Sequence, residues 1–298
     1  MTQVTQHDLT ERLLHARGTI VLLGGIDTGK TGFGLSLAET ARSRGISAAY
    51  VDSDIGQSTV GPPSCVGLKL CRDLESVDRN SVADADELGF VGSFVPEDDL
   101  LALVAGTARL VAHARDAGCE LVVVDTCAFI SGPDAEALKY HKLDLVRPSH
   151  VVGFQRGGEL DPILATAGRF FGVEVTRLQV SGDRTGRSAE ERLSERQARF
   201  AGYFSEPLSR WRVKPTVFMP TLVPEDDLSR LDGLLVGLED GSGRCHGIGL
   251  LEHQEQGNVL RMVSSKSSGA KGLRLGSVRL TTEGRIVGRY AAQQFFGD

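Results

Sequence analysis

Long apolar runs are missing from this 298-residue chain. No stretch approaches the roughly 18 residues that a membrane span requires, so no membrane partner is expected. Residues 1–12 are polar and of mixed charge, without the apolar centre of a signal peptide, and a cytoplasmic protein is expected. Cysteine is sparse. Five residues (Cys65, Cys71, Cys119, Cys127, Cys245), an odd number with no C-x-x-C pair, exclude a disulfide framework and a zinc cluster as organising principles. Cys119 and Cys127 flank an apolar strand and read as packing residues. The seven histidines show no H-x-x-H or H-E-x-x-H spacing, so no imidazole metal site is expected. Excess positive charge is also lacking. With 33 Lys+Arg against 39 Asp+Glu, the net charge of −6 argues against non-specific coating of nucleic acid and leaves room for a local basic face. There is no fixed-period repeat and no low-complexity tract.

What is present is an ordinary globular composition, 41% hydrophobic and 24% charged, long enough to bury a sizeable core. To about residue 180 the pattern alternates. Strands are expected at 19–23, 47–51, 120–124, 150–154 and 174–180, and helices at 29–44, 97–117, 133–146 and 161–171. The run Glu120-Leu-Val-Val-Val124 is apolar and β-branched throughout, as a doubly covered strand requires. This predicts an α/β fold, a mostly parallel sheet with helices on both faces, which the phosphate-loop motif at 24–31 assigns to the P-loop NTPase type. Beyond about residue 212 the pattern changes to short β-like runs (234–238, 247–251, 259–263, 277–281) between Gly-, Ser- and Asp-rich turns. The expected organisation is this α/β domain at 1–212 and a small all-β module at 213–298, the size of a compact barrel; the family resemblance given below adds a lid at about 183–200.

Charge is unevenly spread. Residues 72–99 carry nine acids against two arginines, read as a solvated face. Residues 183–200 carry five arginines (Arg184, Arg187, Arg192, Arg196, Arg199), and 261–289 carry seven basic residues against Glu283.

The segment Gly24-Gly-Ile-Asp-Thr-Gly-Lys-Thr31 matches G-x-x-x-x-G-K-[ST] in full, directly after the first strand and opening the first helix. Backbone N–H groups of Gly24, Gly25, Ile26, Asp27, Thr28 and Gly29 can wrap nucleotide phosphates, and the helix N-terminus adds a favourable dipole. Lys30 would reach the β- and γ-phosphates and the Thr31 hydroxyl would ligate Mg²⁺. A GTPase would also need N-K-x-D. The nearest string, His141-Lys-Leu-Asp144, lacks the Asn and falls within a predicted helix, where it reads as helix surface. ATP is therefore the expected nucleotide.

The second strand ends in Tyr50-Val-Asp-Ser-Asp-Ile-Gly-Gln57, followed by Gly61-Pro-Pro63. Asp52 and Asp54, two residues apart, point the same way toward the crevice at the carboxyl end of the sheet. A carboxylate there can hold Mg²⁺ through water or take a proton from an attacking hydroxyl. The same residues also suit an Asx-type turn leading into Pro62. Asp125 ends the central strand in the position of a Walker-B acid.

Taken together, the sequence resembles the polynucleotide 5′-hydroxyl kinases, which include the kinase subunit of the eukaryotic mRNA cleavage factor and the nucleolar rRNA-processing kinase, with shorter archaeal and bacterial relatives. The P-loop comes first, then D-x-D-x-G-Q with its Pro-Pro, then Phe90-Val-Gly-Ser-Phe-Val-Pro96, similar to a V-G-x-x-S-P stretch. A clasp follows at Thr126-Cys-Ala-Phe129, then an Arg-bearing lid at Arg187-Ser-Ala-Glu-Glu-Arg192. The resemblance implies an ATP- and Mg²⁺-dependent kinase acting on single-stranded or end-exposed RNA or DNA. It implies Asp54 as general base, with Asp52 and Gln57 supporting it and the metal. Thr126 and Phe129 would clasp Lys30 or the acceptor end, and Arg187 and Arg192 would close over the transferring phosphate. The basic stretches would contact backbone phosphates. The family clasp usually reads T-x-G-W, whereas Ala128 and Phe129 occupy its last two positions here. Two other readings are carried: a nucleotide-bound scaffold subunit of an RNA-processing complex, and a small-metabolite kinase. Protein partners are not indicated.

Overall fold

The computed structural model describes residues 5–180, 186–205, 207–219, 221, 227–266 and 270–290. It opens with a helix that the polar N-terminal segment did not announce, α1 (Gln6–Ala16). The Thr5 side chain caps it by accepting from the Asp8 amide, and Leu9, Leu13 and Leu14 are its buried side chains. Then come β1 (Gly18–Gly24), α2 (Lys30–Ser43), β2 (Ala48–Ser53), β3 (Cys65–Leu70), β4 (Glu87–Phe90), α3 (Leu100–Asp116) and β5 (Leu121–Thr126). They are followed by α4 (Pro133–Val146), β6 (His150–Gln155), α5 (Asp161–Phe171), β7 (Glu174–Gln179) and α6 (Ala189–Tyr203). The remainder is β8 (Ser209–Arg212), β9 (Phe218–Met219), β10 (Leu234–Glu239), β11 (Cys245–Gln254), β12 (Val259–Ser264), β13 (Gly272–Leu280) and β14 (Ile286–Arg289).

The expected mostly parallel central sheet is present. Its strands run β2-β5-β1-β6-β7, all parallel. Strands β1, β2, β5 and β6 are buried on both faces because each face is covered, whereas the edge strand β7 alternates. Ile20, Leu22, Tyr50 and Val123 pack with α1 and α2. Val21, Leu23, Val51 and Val124, offset by one residue, pack with α3, α4 and α5. The single offset explains why these strands read as continuous rather than alternating runs.

Two strands that the sequence reading did not anticipate, β3 and β4, extend this sheet in antiparallel fashion beyond β2. Leu88 of β4 then pairs with Cys245 of β11, so the C-terminal strands are hydrogen-bonded onto the same sheet. Helix α6 packs into this junction. Phe200 and Phe204 lie in one apolar cluster with Cys65, Leu88 and Phe90 and with Leu235, Ile248 and Val263. The expected lid maps onto this helix, whose start is fixed by a capping box between Ser188 and Glu191. Residues 183–185, including Arg184, lie outside the described residues. Among the described residues, no helix is long and apolar enough to cross a membrane.

Gly284, in the turn before β14, has φ +80°, and a Cβ there would lie 2.3 Å from the Ala201 amide nitrogen and 2.4 Å from Gln197 O on α6. The seat of the lid helix therefore requires glycine on both conformational and steric grounds. Gly284→Ala is expected to lower unfolding stability by ~1–3 kcal/mol, measured by denaturant titration.

Candidate active site

Strand β1 delivers the phosphate loop to the carboxyl edge of the sheet, and Gly29 turns it into α2 with φ +91°. The Lys30 ammonium donates to Gly25 O across the loop at 2.7 Å. The Thr31 hydroxyl donates to Asp125 Oδ2 at 2.6 Å, and the Tyr50 hydroxyl reaches the same oxygen at 3.0 Å. Lys30, Thr31 and Asp125, far apart in sequence, are thus brought together. Burial raises the Asp125 carboxyl above the usual range, against the opposing charge of Lys30. Burial likewise lowers Lys30, and Asp125 and Asp54 pull it back. Asp125 Oδ1 is buried and has no hydrogen-bond partner among the described residues. An orphaned carboxylate oxygen beside the Thr31 hydroxyl fits a hydrated divalent cation.

Asp52 and Asp54 do different work. Asp52 accepts from the Asp54 amide at 2.9 Å, from Val60 at 3.1 Å and from the Thr59 amide. Both its oxygens are therefore taken by main-chain donors, and it anchors the 54–60 loop. Burial, with the charges of Asp125 and Asp54, pushes it up to about 7. Asp54 uses Oδ1 to accept from the Gly56 and Gln57 amides at 3.1 and 3.0 Å. Its side chain lines the cleft above the phosphate loop. Gln57 donates to Arg192 O at 3.2 Å, tying this loop to the lid.

The arginines expected in the lid, Arg187 and Arg192, converge on the phosphate loop. Arg187 gives its amide to Asp27 Oδ2 at 3.1 Å and approaches Oδ1 at 3.6 Å; Arg192 approaches Oδ2 at 3.7 Å. Asp27, expected only as a loop amide, is the carboxylate that receives both. One and two turns further along α6, Arg196 donates to Gly56 O at 2.9 Å and Arg199 reaches Thr59 O and Gly61 O at 3.4 Å. From the other side, Arg156 donates to Ile26 O at 3.2 Å. The phosphate loop is thereby framed by guanidinium groups in an open cleft of about 2730 Å³.

The segment expected as a clasp is held from beneath by α4. Thr126 donates to Leu22 O at 2.8 Å and receives the Lys139 ammonium at 3.2 Å, and Lys139 also donates to Cys127 O at 2.9 Å. Lys142, expected on the helix surface, is 1% exposed and donates to Ser53 Oγ at 2.8 Å. Helix α4 thus turns two ammonium groups inward beneath the carboxyl ends of β2 and β5. Sequence reasoning missed them because lysine is ordinarily an exposed helix residue. The available signal was their three-residue spacing, which gives both one face. Burial holds Lys142 down to about 8. Phe129 leans partly into the core beside α4 while lining the cleft.

The C-terminal basic stretch is not one free stripe. Arg274 lies 3.6 Å from Glu239, Arg289 pairs with Asp98, and Arg279 donates to Arg230 O. These three help to hold the strands together.

The buried Asp52 and Lys142 carry opposite pH signatures. The Asp52 carboxyl is raised on folding, so the native state holds a proton that the unfolded state releases, and its contribution falls as pH rises from about 4 to 7. The Lys142 ammonium is lowered on folding, so its contribution rises as pH goes from about 8 toward 10.5. Denaturant titrations across pH should show wild type losing ground to Asp52→Asn in the first window and gaining on Lys142→Met in the second. Parallel profiles in either window would remove that residue from the buried charge set.

Comparison with known proteins agrees with this geometry. A polyribonucleotide 5′-hydroxyl-kinase of Pyrococcus furiosus is 26% identical, with 94% of this chain and 93% of the relative aligned. One of Methanocaldococcus jannaschii is 25% identical over 90% and 89%. The polyribonucleotide 5′-hydroxyl-kinase Clp1 of Xenopus tropicalis is 27% identical over 64% of this chain and 45% of its own. Among solved structures, a chain of the Clp1p–Pcf11p complex superposes with a TM-score of 0.70 at 13% identity, covering 92% of this chain and 77% of that one. The family described as mRNA cleavage and polyadenylation factor CLP1 P-loop matches residues 24–206. That match spans more than half of the sequence, phosphate loop, acid loop and lid included, and the chain belongs to this family.

Proposed function

We propose that the protein transfers the γ-phosphoryl group of ATP to the 5′-hydroxyl of an RNA or DNA end. The observation that carries this is the convergence of Lys30, Asp54, Arg187 and Arg192 on one open cleft, above the Thr31–Asp125 contact. The relatives' names point to the same reaction. The acceptor oxygen forms a bond to the γ-phosphorus, the bond to the β–γ bridging oxygen breaks, ADP leaves, and Asp54 takes the hydroxyl proton. Lys30 and the lid arginines spread the charge of the transferring group. Thr31 and Asp125 would hold Mg²⁺, which supplies charge neutralisation when bound. Asp52 keeps Asp54 in place through the loop amides. Phe129 forms the clasp side of the cleft, with Thr126 buried behind it on Leu22 O and Lys139. Residues 1–212 form the kinase unit in this proposal, with the lid at about 183–200, and 213–298 form the β-rich unit. Five free cysteines suit a reducing, cytoplasmic setting.

Transfer of labelled γ-phosphate to 5′-hydroxyl oligonucleotides, with Mg²⁺, tests the proposal. Lys30→Ala and Asp54→Asn should each lower the rate by ~10²-fold or more with unfolding stability retained. Full activity in Asp54→Asn would remove it from the base role. ATP binding without any transfer would turn the assignment toward a scaffold subunit, and transfer only to small alcohols toward a metabolite kinase.

A further inference from the structure

Phe94 lies in the loop between β4 and α3, partly buried against the cluster under α6 and lining the cleft. The Arg196 guanidinium stands 4.4 Å from its ring centroid. Such a pair is the arrangement on which single-stranded nucleic acids stack their bases: a flat π-face with a cation fixed against it. Its position gives it a use. Arg196 is held by Gly56 O at 2.9 Å, and the amide of that same Gly56 donates to Asp54 Oδ1 at 3.1 Å. A Cβ on Gly56 would come within 3.1 Å of Phe94 O, so the Phe94 backbone packs directly on the loop that carries Asp54. The pair therefore sits beside the loop that carries the proposed base.

The platform is also preorganised. Ser93 accepts from the Val95 amide at 3.0 Å and donates to Asp98 at 2.5 Å, which fixes the loop on both sides of Phe94. Burial lowers the Arg196 guanidinium from its ordinary value, with Asp54 opposing. Stacking energy is gained there without a further cost of ordering the side chains.

We propose that Phe94 and Arg196 form the stacking platform for the first nucleobase of the acceptor strand, seating its 5′-hydroxyl at Asp54. This rests on the kinase assignment and assigns a base-binding role to residues outside the clasp. Stacking does not read base edges, so the platform accepts all four bases and requires only that a base be there.

The test compares two 5′-hydroxyl oligonucleotides that differ only in whether the first residue carries its base or is abasic. Wild type should prefer the intact end by about tenfold in kcat/KM, the scale of one base–aromatic stack. Phe94→Ala should treat the two ends alike, and Phe94→Trp should keep the preference. Phe94→Leu, which preserves apolar packing but has no π-face, covers the case in which alanine does not fold, and should also treat them alike. A preference that persists in Phe94→Ala or Phe94→Leu, or that wild type lacks, overturns the proposal. Fluorescence anisotropy with the same two oligonucleotides separates it from the kinase assignment. Failure to transfer phosphate sinks the kinase assignment, whereas equal wild-type binding of intact and abasic ends sinks the platform.

Discussion

The hydroxyl of Thr31 on the carboxylate of Asp125 is the contact from which the rest of the site is built. It ties the first turn of the phosphate-loop helix to the end of the central strand. Tyr50 adds the neighbouring strand through the same oxygen. Parallel register does the rest. Leu22 of β1 and Asp52 of β2 both stand level with Asp125. Once the three strands are aligned, the phosphate loop, Asp125, Asp52 and Asp54 emerge at one edge. Antiparallel pairing would have sent one of them to the opposite end of the sheet.

That alignment concentrates charge in a place that water scarcely reaches. Asp52 and Asp125 are each 2% exposed, and isolated carboxylates at that depth would be costly. The structure answers with main-chain amides on Asp52 and with three ammonium groups, Lys30 from the loop and Lys139 and Lys142 from α4. The lysines reach serine, threonine and carbonyl oxygens rather than the acids themselves. They stabilise the strand ends and leave the carboxylate oxygens of Asp52, Asp54 and Asp125 to other partners.

The placement of α6, the proposed lid, depends on parts of the chain distant from it. Asp27 gathers Arg187 and Arg192 over the phosphate loop, while the C-terminal strands support the other end of α6 through the Phe200 and Phe204 cluster and Gly284. Arg289 reaches Asp98 and Arg274 lies over the Phe90 ring, so the β-rich segment also braces the loop that carries Phe94. Basic residues that looked like a nucleic-acid stripe are in part the fastening between sheet and lid.

The local grammar of the chain was legible from the sequence. Continuous β-branched runs marked β5, and the spacing of Pro133 and Asp161 marked the starts of α4 and α5 to the residue. G-x-x-x-x-G-K-T named the phosphate loop because its function resides in backbone amides that consecutive residues supply. Motif order carried the family. Tertiary structure decided what contact decides. Strands β3 and β4 (Cys65-Val-Gly-Leu-Lys-Leu70 and Glu87-Leu-Gly-Phe90) interrupt their apolar runs with glycine and charge, and they form where a neighbouring edge offers partners. Lys139 and Lys142 look like solvated helix residues until α4 is laid against β5. Asp27 and Arg196 acquire roles only when α6 folds back over loops more than a hundred residues away. Periodicity reports which face of an element is buried; the partner awaiting a charge on that face is a property of the packed molecule alone.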